Sequence, residues 1–203
     1  MTERPDSLLP RPREGAMDRR LVVGVLIGTL LCIRFVDRPA ATYLQHAAYA
    51  TPLFQVALHI FPILLTAGAC LLVLLLGFGA ATLAGWSLRP WMSVVLLASG
   101  AAAGGCLVAE LLKYIIGRSQ VYPAYLVHGL YRFSPFHGRP DFGAFPSATA
   151  AVSSAALTVL WISWPRGRPA YGAIVGIILA ALLITNAHWV SDLLGGCRIG
   201  GMV

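Results

Sequence analysis

Charge is what this sequence lacks most. Only 11% of its 203 residues are Asp, Glu, Lys or Arg, and 58% are hydrophobic, where an ordinary soluble domain carries about 25% charged residues. That excludes a soluble globular domain. It also excludes a disordered chain, which needs low hydrophobicity and high charge. Acidic residues are scarcer than basic ones: 8 Asp and Glu stand against 15 Lys and Arg, for a formal charge of +7. Cysteine is limited to Cys32, Cys70, Cys106 and Cys197, each in or beside an apolar run and none near another. With no Cys-x2-Cys pair, neither a zinc site nor a disulfide framework is expected. Internal repeats and low-complexity tracts are missing too, and the length leaves no room for a second domain.

What the chain does have is long apolar runs, with a mean hydropathy of +0.75. They cover residues 21–33, 53–84, 91–116, 147–164 and 170–185, and a short glycine-rich segment follows at 188–203. Most approach the ~20 residues that cross a bilayer. The second run is longer than one crossing needs and contains Pro62, but no polar turn divides it, so one tilted or kinked helix is expected. Gly100, Gly104 and Gly105 in the third run permit close helix contact. The pattern predicts an all-α, polytopic membrane helix bundle of about six transmembrane helices. Residues 21–203 form its single domain, behind a disordered basic cytoplasmic arm at 1–20. The arm and first run resemble a signal peptide, but the later runs need an orientation, which favours an uncleaved first span. Trp86, Trp91, Trp161, Trp164 and Trp189 fall at run ends, as an interfacial belt would.

The positions of the charges explain the +7. Five arginines lie in the arm, and Arg89, Arg166, Arg168 and Arg198 fall on the same side if the N-terminus is cytoplasmic. The excess of basic residues on that side favours this orientation, and it makes nucleic-acid binding an unneeded explanation. Arg38, Lys113, Arg118, Arg132 and Arg139 fall outside, with Arg34 at the boundary. Four of those five surround the segment 117–146, which is rich in Tyr, Phe, His, Pro and Gly, and a ligand accounts for them better than topology does.

Ionisable groups bordering apolar runs each need a reason. Glu110 and Lys113 are three apart on one helical face and can pair. His188 and Asp192 are four apart, so a helix would set the carboxylate one turn from the imidazole. There it fixes the tautomer and leaves the other nitrogen free for nucleophilic attack. Ser147 follows Pro146 at the start of the fourth run, where free backbone N–H groups and the positive helix end favour an anion. Plain N-capping by Ser147 is the alternative. Cations, an N-terminal nest and a nucleophilic imidazole on one membrane face describe phosphate chemistry.

These blocks, in this order, resemble the type 2 phosphatidic acid phosphatase (PAP2) family, which also includes the vanadium haloperoxidases. The likeness spans residues 107–196. It is strongest over Phe136-His-Gly-Arg-Pro-Asp-Phe-Gly-Ala-Phe-Pro-Ser147 and from Asn186 to Gly196. The family motifs are Lys-x6-Arg-Pro, Pro-Ser-Gly-His and Ser-Arg-x5-His-x3-Asp. A bacterial branch reads closer to Lys-x3-Gly-Arg, which matches Lys113 and Arg118. The resemblance implies His188 as nucleophile on phosphorus, Asp192 as its orienter, and Lys113, Arg118, Ser147 and Arg139 as phosphate ligands. No metal or other cofactor is implied.

The departures are specific. Gln120 and Val121 replace the first-motif Arg-Pro, Ala148 and Thr149 replace Gly-His, and Ala181 and Leu182 replace Ser-Arg. Thr149 therefore marks a missing general acid, since a hydroxyl does not give up its proton near neutral pH. Such a loss costs about 10²–10⁴ in rate. A good leaving group needs less protonation, and His128 or His137 offers a substitute. The implied function is an integral-membrane phosphatase of the bacterial inner membrane. Its site would face the periplasm, and its substrate would be a lipid phosphate or an isoprenoid diphosphate such as undecaprenyl diphosphate. The alternative is a catalytically silent relative that binds a lipid phosphate or a partner protein. A haloperoxidase is disfavoured, because those relatives are generally soluble.

Overall fold

The computed structural model describes residues 19–136 and 138–202. Residues 1–18, where most of the expected arm lies, and His137 fall outside the described residues. The described chain is helical: α1 (Arg19–Leu31), α2 (Asp37–Ala48), α3 (Pro52–Leu58), α4 (Ile60–Leu83), α5 (Pro90–Ile116), α6 (Ala148–Ser163), α7 (Arg168–Ile184) and α8 (Val190–Gly200). Among the described residues there is no β-strand; Arg118 alone makes two isolated bridges, to Phe133 and to Gly143.

Prolines set the breaks. Pro62 has no N–H for the Leu58 carbonyl and its ring crowds that oxygen, so the second apolar run divides at His59 into α3 and α4. The pair stays one kinked apolar stretch, Pro52–Leu83. The first run continues beyond its expected end. α1 passes through a wide π turn at Cys32–Val36 directly into α2, where the Asp37 amide donates to the Cys32 carbonyl. Pro39 would otherwise clash with the Phe35 carbonyl, and the widened turn relieves that crowding. The segment from Arg34 onward, expected as an outer connection, is therefore helix.

Among the described residues, three stretches are long and apolar enough to cross a membrane: Pro52–Leu83, Pro90–Ile116 and Pro165–Ile184. α1, α6 and α8 have 13, 16 and 11 residues, short of a full crossing by length alone.

Small residues bring the helices together. Ala98, Ala101, Ala102 and Ala109 of α5 and Ala150, Ala151 and Ala155 of α6 are buried. A Cβ on Gly105 would stand 3.3 Å from the Ala151 carbonyl oxygen. α8 packs against α6 through Gly196 and Gly200, where an added Cβ would overlap the Ser147 and Ala151 carbonyls. Apolar association between helices in lipid depends on such close contact. Gly117 ends α5 in the left-handed region (φ 58°), its amide bonded to the Lys113 carbonyl, and a Cβ there would run into the Ser134 carbonyl. The C-terminal ends of α5 and α7, the N-terminal ends of α6 and α8, and α2 thereby meet at one end of the bundle.

Candidate functional site

At that meeting point a single guanidinium organises the side chains. Gly117 turns the chain out of α5, and the Arg118 carbonyl accepts from the Ala144 amide at 3.1 Å, pinning the residue between two loop segments. The Arg118 side chain is 1% exposed. Its Nη2 donates to Asp37 Oδ2 at 2.6 Å and to Tyr131 Oη at 3.1 Å; its Nη1 donates to Asp192 Oδ1 at 2.6 Å and to Ser191 Oγ at 2.5 Å. Asp37 also accepts from the Ser191 backbone N–H at 3.0 Å and from its hydroxyl at 2.6 Å. The Arg118 Cζ lies 5.0 Å from the Trp189 ring centre and 5.5 Å from those of Tyr131 and Phe133. Burial alone would lower the guanidinium's pKa, but the Asp192 and Asp37 carboxylates outweigh it and hold Arg118 above its ordinary range. Burial likewise raises the Tyr131 phenol, against the opposing pull of Arg118.

Asp192 faces two ways. One oxygen takes Arg118; the other accepts from the Trp189 backbone N–H at 3.0 Å and caps the first turn of α8. His188 sits just before that helix, with Nδ1 3.2 Å from the Ala144 carbonyl oxygen and 3.5 Å from Asp192 Oδ2. The pair thus forms around the helix N-terminus, not along one face of a helix, because Trp189 is extended (φ −72°, ψ 156°). In the tautomer with its proton on Nδ1, His188 donates to the Ala144 carbonyl and Nε2 keeps its lone pair.

Ser147 joins the same cluster. Its amide donates to the Asp192 carbonyl at 3.0 Å, and its hydroxyl accepts from the Ala150 amide at 3.3 Å as the N-cap of α6. The Ala148 and Thr149 amides in that first turn have no acceptor among the described residues. Thr149 is half-buried in the same turn, and its side chain makes no hydrogen bond among the described residues.

Lys113 and Arg139 lie apart from this cluster. They line a neighbouring cleft of about 370 Å³ with Glu110, Tyr114, Gln120 and Gly143. The Gly143–Ala144 link joins the cleft to His188 through the Ala144 carbonyl. Lys113 Nζ pairs with Glu110 Oε1 at 2.7 Å, and Arg139 is exposed. Gln120, at the position of the first-motif Arg, spends its side-chain amide on the Pro140 carbonyl at 2.8 Å. Leu182, at the position of the third-motif Arg, is 1% exposed and packs with Ala150, Ile178 and Leu193. His128 is exposed. No cluster of three or more His, Cys, Asp or Glu that could hold a metal occurs among the described residues.

Two participants escaped sequence reasoning. Asp37 is 1% exposed and lies 81 positions from Arg118; its only signal was a carboxylate following an apolar run. Trp189, read as part of an interfacial belt, is instead buried at 1%. Its ring packs against Tyr125 and Tyr131, and its indole N–H donates to the Ser119 carbonyl at 2.9 Å.

The model of the PAP2 superfamily matches residues 92–203, more than half of the chain. The chain belongs to the PAP2 superfamily. Among its relatives is a lipid A 1-phosphatase of Rhizobium etli, 30% identical over 111 residues, which are 55% of this chain and 47% of the relative. Another lipid A 1-phosphatase, of Rhizobium johnstonii, is 31% identical over 94 residues, or 46% and 38% of the two chains. The chain spans about half or less of the length of these relatives. No solved structure matches it. Membership agrees with the all-α membrane fold, and the matched region includes all three motif segments, from Lys113 to Asp192.

Proposed function

We propose that this PAP2 protein is an integral-membrane phosphatase that removes phosphate from a lipid phosphate or diphosphate at the outer face of the bacterial inner membrane. The observation that carries the reading is the buried Asp192, clamped by Arg118 and by the Trp189 amide, with its Oδ2 3.5 Å from His188 Nδ1. In this reaction Nε2 attacks phosphorus and forms a P–N bond as the P–O bond to the leaving group breaks. Water then attacks the phosphohistidine, releases inorganic phosphate and regenerates the imidazole. Lys113 and Arg139 in the adjoining cleft and the free amides at the start of α6 hold the phosphate oxygens. Ser147 caps that turn from the buried side. Arg118 already has two carboxylate partners, so its role is to position Asp192 and not to bind substrate. Thr149 supplies no proton to the leaving oxygen, which favours substrates whose leaving group is itself a phosphate. The lipid A 1-phosphatase relatives make a phosphorylated glycolipid a second substrate to try.

The test is phosphate release by purified protein from an isoprenoid diphosphate, phosphatidate and lipid A. Release is expected in the wild type and absent in His188→Ala. Equal release from both proteins, or none from either with correctly folded samples, sinks the proposal.

A second reading has its own observation: Gln120, Thr149 and Leu182 are all absorbed into structural roles or left without the family's chemistry. A silent binding protein follows from that. Ala148→Gly combined with Thr149→His separates the two readings. An inert parent whose double variant turns over supports the silent reading, and a parent that already turns over excludes it.

A further inference from the structure

A second cationic surface lies outside the Asp192 cluster and takes no part in the chemistry above. Arg34, Arg38, Thr42 and His46 recur every fourth residue from the π turn into α2 and line an open groove of about 730 Å³ beside Tyr43 and Tyr125. Four-residue spacing keeps such side chains on one face of a helix. All four of them are exposed.

The two arginines differ from Lys113 and Arg118, and share with the loop residues Arg132 and Arg139 the lack of an acid partner among the described residues. Lys113 has Glu110 and Arg118 has Asp37 and Asp192, whereas neither Arg34 nor Arg38 has a carboxylate or hydrogen-bond partner among the described residues. Their guanidinium carbons instead lie 5.2 Å from the ring centres of Phe35 and Tyr131. Stacking fixes a guanidinium plane while leaving its N–H edge open to an acceptor.

Depth identifies the acceptor's source. Arg34 is the first charge after the apolar α1, whose Leu26, Ile27, Leu30 and Leu31 are more than half exposed. In a membrane protein such a surface faces acyl chains. Phe35 and Tyr43 are 62% and 70% exposed at the level of the groove, where interfacial aromatics sit. A cationic, aromatic-flanked groove above an apolar helix face matches an amphiphile with a phosphate head and acyl tails. We propose that the Arg34–Arg38 groove binds the phosphate headgroup of an anionic phospholipid, whose chains run along α1. The site is separate from the His188 chemistry and stands whether or not that centre turns over.

The experiment is native mass spectrometry of the purified full chain from micelles containing equal phosphatidylglycerol and phosphatidylcholine. The wild type is expected to retain phosphatidylglycerol preferentially. Arg34→Gln with Arg38→Gln should reduce that preference roughly tenfold, and Arg34→Lys with Arg38→Lys, which keeps the charge and loses the stacked fork, should fall between the two. Both residues are exposed, so the glutamine pair should match wild type in melting temperature in phosphatidylcholine alone; if it does not, single Arg34→Gln replaces it and must show a smaller loss in the same direction. Three results would overturn the proposal. One is an unchanged preference in the glutamine pair. The second is a preference that disappears in Lys113→Gln with Arg139→Gln instead. The third is inorganic phosphate giving the same Arg34- and Arg38-dependent thermal stabilisation as phosphatidylglycerol.

Discussion

At the scale of single residues, Arg118 is the side chain on which the site depends. A buried ion pair gives little net stability against an apolar substitute, yet removing one partner is costly because a charge is left uncompensated. Asp37→Asn should therefore destabilise the protein by about 3 kcal/mol, read as a lower melting temperature in detergent. Arg118→Met strands two buried carboxylates and should cost more, and adding Asp37→Asn to it should cost less than the two losses summed. Additive losses would mean that the two side chains are not coupled. Activity separates this positioning role from catalysis. With Asp37→Asn, Asp192 keeps its Arg118 and Trp189 contacts, so phosphate release falls less than in Asp192→Asn, which acts on His188 directly. The sequence pattern could not reveal Asp37, because its partner lies 81 residues away and no local spacing records such a contact. The nearness of His188 to Asp192 and the place of Ser147 at a helix start were readable because those spacings are local, but the extended Trp189 that sets the pair around the helix end was not.

At the scale of elements, α8 is the clearest case of a helix held by its missing side chains. An alanine normally stabilises a helix relative to glycine by about 1 kcal/mol. At Gly200 the new Cβ would overlap the Ala151 carbonyl and the Ser154 hydroxyl, and at Gly196 the Ser147 carbonyl. Backbone oxygens cannot swing aside, so overpacking wins. Gly196→Ala and Gly200→Ala should each destabilise by about 1–3 kcal/mol. Gly77→Ala in α4 meets nothing within 4 Å and should be neutral or mildly stabilising. A stabilised Gly200→Ala in the same melting assay would show that α8 is not seated against α6. The run boundaries of α5, α6 and α7 were readable from hydropathy to within two residues or so. The continuation of α1 into α2 was not, since Arg34 ends the apolar run whether the chain turns or stays helical. The glycines of α8 gave a weak span by composition, and only the packing partner gives them their purpose.

At the scale of the molecule, the scarcity of charge becomes an argument about sides. Asp37, Arg118, Ser147, His188 and the Lys113 cleft gather at one end of the bundle, while the turns at Arg89 and at Arg166–Arg168 lie at the opposite ends of their helices. Basic residues in short loops favour the cytoplasm, so the His188 end should face the periplasm. Exposed Val127 in the loop beside the site and Arg166 between α6 and α7 provide reporters, introduced one at a time as Val127→Cys and Arg166→Cys with the four native cysteines replaced by alanine. In intact spheroplasts a membrane-impermeant maleimide should label the cysteine at 127 and spare that at 166, and permeabilisation should expose both. Labelling in the reverse order would put the His188 cluster on the cytoplasmic face. It would also leave the arginine-rich side outside, against the bias that explains most of the chain's positive charge.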